Sequence, residues 1–270
     1  MRIVAKVSMC IFITFFALPI LCMICVSFMS VNDATALLGG KKIVSVALTL
    51  TQYKEAVLSN SFLLSFRNSA IITLYSLVLN IPVSLCAGLM LSRSRNRWRK
   101  LLIVLYVVAM LLPFQIIMLP VYELSLWSGL YDSYTAVVIL NAFAPMGAVM
   151  VSVLIGTIHE SQWEAAKLET NSAFSILWHI LLPQMLPGVV ALSILVFAQV
   201  WNMVEQPLLL IPDGRLKPLS LSFNDIVSAS SNYTYAGAVL YATPIIVLYI
   251  IVIMLARKHS YVFGAVVDLM

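Results

Sequence analysis

Six long apolar runs, parted by shorter polar segments, set the plan of this chain. Residues 7–29, 68–91, 101–124, 136–155, 180–201 and 236–255 are each apolar over about the 20 residues that a helix needs to cross a ~30 Å hydrocarbon core. The pattern predicts an all-α, polytopic bundle of six transmembrane helices. Prolines punctuate it: Pro19 predicts a kink in the first run, Pro82 a soft interruption of the second, Pro113 and Pro120 breaks in the third, and Pro145 lies in the fourth. The first run is longer than a signal-peptide core and lacks a small-residue cleavage site, so it is expected to be a retained helix. Residues 31–66 read as a mixed loop, with 49–58 a short helix on the membrane surface. Residues 201–235 read as a polar loop with a turn at Asp213-Gly214.

Composition supports the pattern. Of 270 residues, 62% are hydrophobic and 10% charged, with a mean hydropathy of +1.01. A soluble domain carries about 25% charged residues, so the chain is an integral membrane protein of one domain, residues 1–270, in contact with lipid. The net charge of +5 points to membrane orientation and not to nucleic acid. Cys10, Cys22, Cys25 and Cys86 all fall in apolar runs, where neither a disulfide framework nor a metal site is expected, and they read as inert core thiols.

Lysine and arginine orient the chain. With the amino terminus inside, Arg2, Lys6, Arg93, Arg95, Arg97, Arg99, Lys100, Lys167, Arg257 and Lys258 face the cytoplasm. Lys41, Lys42, Lys54, Arg67, Arg215 and Lys217 face out. The excess inside predicts both termini cytoplasmic. It also puts residues 158–179, the polar segment between the fourth and fifth runs, inside. The basic stretch 92–100 reads as an orientation anchor, or as a contact for anionic lipid or a partner.

Few residues carry chemistry. Asn80, Gln115, Asn141, Gln199 and Asn202 lie within the apolar runs, and Glu123 and Glu205 near their outer ends. Such groups face the bundle interior or a watery path, or bond between helices. Gln115, Asn202 and Glu205 are the candidates for a solute path. Trp127, Trp201 and Tyr131 suit an outer aromatic belt, and His179 an interfacial position. Gly40 precedes a lysine, but no phosphate loop, Gly-x-Ser-x-Gly or His-Glu-x-x-His is present. No catalytic residue, metal site or cofactor is expected. An intramembrane enzyme would need paired acids or a serine–histidine pair at one depth, and the runs hold none at mid-depth.

Residues 158–179 hold the most specific signal. Ser161 and Glu164 have capping-box spacing, so a helix is expected to start there. Glu164, Ala165, Ala166 and Glu169, followed after a gap by Ile180, Leu182, Pro183 and Pro187, resemble the Glu-Ala-Ala docking loop of ABC-importer permeases. Pro113-Phe-Gln115, Leu119-Pro120, Ser128-Gly-Leu-Tyr-Asp132, Trp201-Asn202, Ala236-Gly237, Pro244 and Tyr261-Val262-Phe263-Gly264 extend the resemblance over residues 52–264. The chain is similar to the carbohydrate-importer permeases, the group that includes the second membrane subunit of the maltose importer. Thr170 departs from the family's glycine, Met203 from its usual acid, and the tail from its usual end.

The resemblance implies a type I ABC-importer permease fold and a non-catalytic subunit in the cell membrane. It implies a second permease, two ATPase subunits, one of which docks on the Glu-Ala-Ala loop, and an extracytoplasmic solute-binding protein. The solute implied is a sugar or oligosaccharide; glycerol phosphate, a polyamine or an amino acid is the alternative within the same architecture. The span interiors hold amides and hydroxyls and no clear charge, which suits a neutral, hydroxyl-rich solute. At the docking turn, threonine is ill suited to the positive φ that glycine accepts. The helix is therefore expected to end near Thr170, with Asn171 making the turn and a second helix starting around Ser172 to present Phe174 and Leu177.

Overall fold

The computed structural model of the chain describes residues 2–40, 48–93, 98–170, 172–229 and 231–258. Among these, every regular element is helical. In chain order they are α1 (Arg2–Ser27), α2 (Val31–Leu38), α3 (Thr51–Leu58), α4 (Asn60–Arg93), α5 (Arg99–Leu111), α6 (Phe114–Trp127) and α7 (Tyr134–Ala142). There follow α8 (Pro145–Gly156), α9 (Glu160–Glu169), α10 (Ala173–Ile176), a π-helical turn Leu177–Leu181, α11 (Leu182–Trp201), α12 (Glu205–Leu210), α13 (Leu219–Ala229) and α14 (Thr234–Lys258). Two compact units result, Met1–Arg67 with Ser222–Pro244 and Asn68–Leu221 with Ile245–Met270.

Prolines decide where the long helices break. Pro113 forces Leu112 into an extended conformation (ψ 122°), and α5 and α6 meet there at 97°. Pro145 likewise ends α7 and opens α8 at its first position. Pro183 cannot donate to His179, and just before it the helix widens into the π turn, where Leu182 N–H reaches back to Leu177 O. Pro19, Pro82, Pro120, Pro187 and Pro244 stay inside their helices.

In the first unit a buried glutamine joins two helix ends. The Gln52 side-chain amide donates to Val26 O at 3.2 Å and Met29 O at 2.8 Å, carbonyls left over at the end of α1, and its oxygen accepts from Ala236 N–H at 3.3 Å. Ser30 caps α2 by accepting from Asp33 N–H. Tyr233 packs on Phe62 and shares a hydrogen bond with Ser59 at 2.9 Å.

In the second unit α4 is inside-out by the standards of a soluble protein. Asn68, Ser69, Thr73, Ser76, Asn80 and Ser84 are buried, while Leu74, Tyr75, Val78 and Leu79 are exposed. Only an apolar surrounding favours that arrangement. The buried face locks on α7 and α8 at three successive turns. Asn80 Nδ2 donates to Asn141 O at 2.7 Å. Gly147 sits against Ser84 and Gly88 against Val151, so closely that a Cβ on either glycine would meet those side chains below 3 Å. The core runs through Val137, Val151, Ile155, Leu192 and Leu210. The turn before α7 uses positive φ at Gly129 (69°) and Asp132 (58°). Asp132 is held by its N–H on Leu210 O and its carboxylate on Asp213 N–H.

Several predicted bounds shift. Four helices, 60–92, 134–156, 174–201 and 234–254, are long and apolar enough to cross a membrane, and the bent α5–α6 pair adds a fifth. Helix α1 is continuous over Arg2–Ser27; its apolar part with described side chains begins at Thr14, and a sixth span is not tested among the described residues. Helix α4 starts at Asn60, ahead of the predicted run, and Asn68 within it is buried with its amide donating to Arg215 O and Lys217 O. The fifth runs back to Phe174, and the loop 201–235 holds α12 and α13, with the expected turn at Asp213-Gly214 present. Trp201 is buried and stacked on Phe197, not in an outer belt, whereas Trp127 is exposed. Cys22, Cys25 and Cys86 are free thiols exposed on helix surfaces and not in the core; the Cys10 side chain and the tail from 259 lie outside the described residues.

Gly147→Ala is expected to destabilise the protein by about 1–3 kcal/mol, because the new methyl overlaps Ser84. In a Ser84→Gly background the same change should cost under about 1 kcal/mol. Thermal denaturation of the four proteins in detergent measures this, and equal cost in both backgrounds would count against the close contact.

Candidate functional site

Two sites emerge in the second unit. The first is the segment 158–172. Its helix α9 is composed of good helix formers, Glu, Gln, Ala, Lys and Leu, with Glu160 in its first turn and Lys167 in its last, both favourable to the helix dipole. One face is anchored: Trp163 and Ala166 are buried in the core cluster with Ile176 and Leu177. The Lys167 ammonium lies 5.2 Å from the Trp163 ring centroid. The opposite face is free. Glu164, Ala165 and Glu169 are exposed, and Leu168 is 91% exposed. Neither Glu164 nor Glu169 has an ion-pair partner among the described residues.

The helix start differs from the expected capping box. It begins at Glu160, with His159 as N-cap and no side-chain cap, so Ser161 lies inside the first turn. The helix end falls where it was expected. Thr170 follows Glu169 in an extended conformation (φ −154°, ψ 142°), which any residue adopts. Asn171 lies outside the described residues. The Thr170 hydroxyl accepts from Ser172 N–H, and Ser172 Oγ accepts from Ser175 N–H to start α10. Of the two side chains expected to be presented there, Phe174 is exposed and stacked on Trp178, while Leu177 is buried.

The second site is a polar cluster where four helices meet. Gln115 on α6 donates to Glu205 Oε1 on α12 at 2.6 Å, a short charge-assisted bond. Next to Glu205, Gln206 accepts from Asn141 Nδ2 at 2.9 Å. Asn141 also donates to Val137 O at 2.8 Å, and its own carbonyl takes the amide of Asn80. Two of the three residues expected on the solute path, Gln115 and Glu205, are therefore brought together. Asn202 instead caps its own helix through Ala198 O at 2.9 Å. Asn80 and Asn141 are buried interhelical ties, and Gln199 is exposed on α11.

Sequence reading missed Gln206, because it lay in a stretch taken as an outer loop. It also missed a cavity of about 580 Å³ in the first unit, lined by Glu55, Ser59, Asp225, Asn232 and Tyr233. The separation of these residues along the chain left no local signal. No cluster of three or more His, Cys, Asp or Glu able to hold a metal occurs among the described residues.

Apolar outer surfaces, amide and hydroxyl groups turned inward, and a polar helix held out between two spans define a multi-pass membrane protein. The chain belongs to the family of binding-protein-dependent transport system inner membrane components, which it matches over residues 80–261. It is 27% identical over 188 residues to the arabinooligosaccharides transport system permease protein of Halalkalibacterium halodurans, covering 68% of this chain and 67% of that one. To the melibiose/raffinose/stachyose import permease protein of Bacillus subtilis it is 24% identical, covering 73% and 72%. The fold matches a crystal structure of a bacterial ABC transporter involved in the import of the acidic polysaccharide alginate, at TM-score 0.78 and 20% identity over 96% of this chain and 95% of that chain.

Ala165 and Ala166 should respond oppositely to enlargement. Ala166→Leu is expected to cost about 1–3 kcal/mol through overpacking beside Trp163, while Ala165→Leu, on the exposed face, should stay within about 0.5 kcal/mol. Denaturation of the chain in detergent tests this, and a tolerated Ala166→Leu would contradict the anchored face.

Proposed function

We propose that the chain is one of two membrane subunits of an ATP-driven importer for a saccharide, with two ATPase subunits, one of them docking on α9, and an extracytoplasmic binding protein delivering the solute. The observation that carries this is the two-sided helix α9. Its inner face is fixed by Trp163 and Ala166, so a push on the exposed face of Glu164, Ala165 and Glu169 moves a rigid body joined to the core. Thr170 closes that docking element.

The saccharide class is supported by the relatives, whose names include arabinooligosaccharides and melibiose, raffinose and stachyose. Physical chemistry agrees. The buried polar side chains among the described residues are serine, threonine, asparagine and glutamine, with no Asp, Glu, Lys or Arg. A phosphate ester would find no buried cation there to pair with, at a cost of several kcal/mol per ion. A neutral polyol needs only hydrogen-bond partners, and the candidates are Gln115 and Glu205 at the polar cluster, with Asn202 at the end of α11.

Co-purification with operon neighbours and reconstitution in liposomes tests the reading. Saccharide uptake should depend on ATP and on the binding protein; uptake of only an anion or a polyamine would overturn the solute class. Glu164→Lys should leave the complex assembled and lower uptake by about 5-fold or more, the effect of losing a coupling of about 1–3 kcal/mol. Normal uptake by that variant would remove the docking role.

The proposed orientation has both termini cytoplasmic. Arg215 is largely exposed, as is Leu168. A cysteine at Arg215 should react with an impermeant thiol reagent on intact cells, and a cysteine at Leu168 only in inverted vesicles. The reverse pattern would overturn the topology.

A further inference from the structure

We propose that Thr73 and Ser76 together hold one internal water molecule within the second unit, at the centre of the polar face of α4. That face carries Ser69, Thr73, Ser76, Asn80 and Ser84 at helical spacing, all buried. The seam is paired on both sides of its centre. Ser69 Oγ accepts from Leu219 N–H at 2.8 Å. Asn80 donates to Asn141 O at 2.7 Å, and Ser84 Oγ donates to Asn80 Oδ1 at 3.2 Å. Between them Thr73 Oγ1 and Ser76 Oγ have no hydrogen-bond partner, although the residues are 1% and 0% exposed.

Hydroxyls on helices normally bond back to a carbonyl three or four residues earlier. Ser193 does so to Val189 O, Thr243 to Val239 O and Ser152 to Val149 O in this chain. Thr73 and Ser76 do not. Leaving two buried hydroxyls unpaired in an apolar interior is costly enough for each to demand a partner.

The spacing identifies the partner. Residues three apart on a helix have Cβ atoms about 5–6 Å apart, and one oxygen bonded to both hydroxyls at ~2.8 Å each spans that gap. Carbonyls of the preceding turn keep a second lone pair, which gives the molecule a third contact, as buried waters usually have. An ion does not suit the site, because no charged side chain is buried among the described residues. Near-complete burial excludes a hydroxyl of a bulky solute. The proposal does not depend on which solute is transported.

The test uses the full chain assembled with its co-expressed partners in detergent. Thr73→Val and Ser76→Ala are each expected to lower the melting temperature by about 2–4 °C, the loss of one net hydrogen bond in a chain of this size. The double variant should fall little further, because the water is lost once. A Thr73→Val protein that melts at or above the wild-type temperature would overturn the proposal, since removing an unpaired hydroxyl does not destabilise. Additive losses would overturn the shared water. X-ray hydroxyl-radical labelling gives a readout on the unaltered protein. Ile72, 2% exposed, should be oxidised beside a held water despite its isolation from bulk solvent, and absence of labelling there would also overturn the proposal.

Discussion

The bond from the Asn80 amide to the carbonyl of Asn141 ties α4 to the break between α7 and α8. Pro145 lacks the N–H that would otherwise serve this carbonyl from four residues on. Ala144 N–H reaches it only at 3.3 Å, while the Asn80 amide donates at 2.7 Å. In an apolar surrounding a backbone group without a partner costs several kcal/mol, so the short bond from α4 completes what the tightened end of α7 supplies weakly.

Consequences spread from that point. With α4 fixed at Asn80, Gly147 and Gly88 let α8 close on α4 over the next two turns. The other side of Asn141 binds Gln206, so α12 is positioned by the same residue. Glu205, its neighbour, is then in reach of Gln115 just after the Pro113 bend. A carboxylate and an amide that no local pattern connects are thus placed 2.6 Å apart by a relay of two asparagines and a glutamine.

Helix α9 depends on the same core by a different route. Trp163 and Ala166 join the cluster that includes Ile176, Leu177 and Leu181, at the start of the helix that crosses toward Trp201. The π turn lies within this stretch, where the proline-rich segment from Pro183 to Pro187 begins. A force applied to the exposed face of α9 therefore reaches α11 through packed side chains and a locally widened helix, without passing through a flexible joint of glycines. Thr170 suffices at the end of α9 because its backbone is extended there.

Much of this was legible in the residues. Apolar run length fixes membrane helices, since hydrocarbon thickness admits no shorter solution, and the prolines at 113 and 145 mark real breaks because their missing N–H and ring act locally. The end of α9 near Thr170 was expected from the resemblance, which puts a turn there, and not from φ preference, since the extended backbone of Thr170 suits any residue. What the sequence could not decide was anything set by partners distant in the chain. Asn68 read as the first residue of the second run, but it lies well inside α4, buried, with its amide donating to Arg215 O and Lys217 O. Trp201 had the composition of a belt residue but is buried on Phe197. Gln206 was invisible until Asn141 reached it. In each case a polar or amphipathic group has two acceptable surroundings, and only the packed helices determine which of them it occupies.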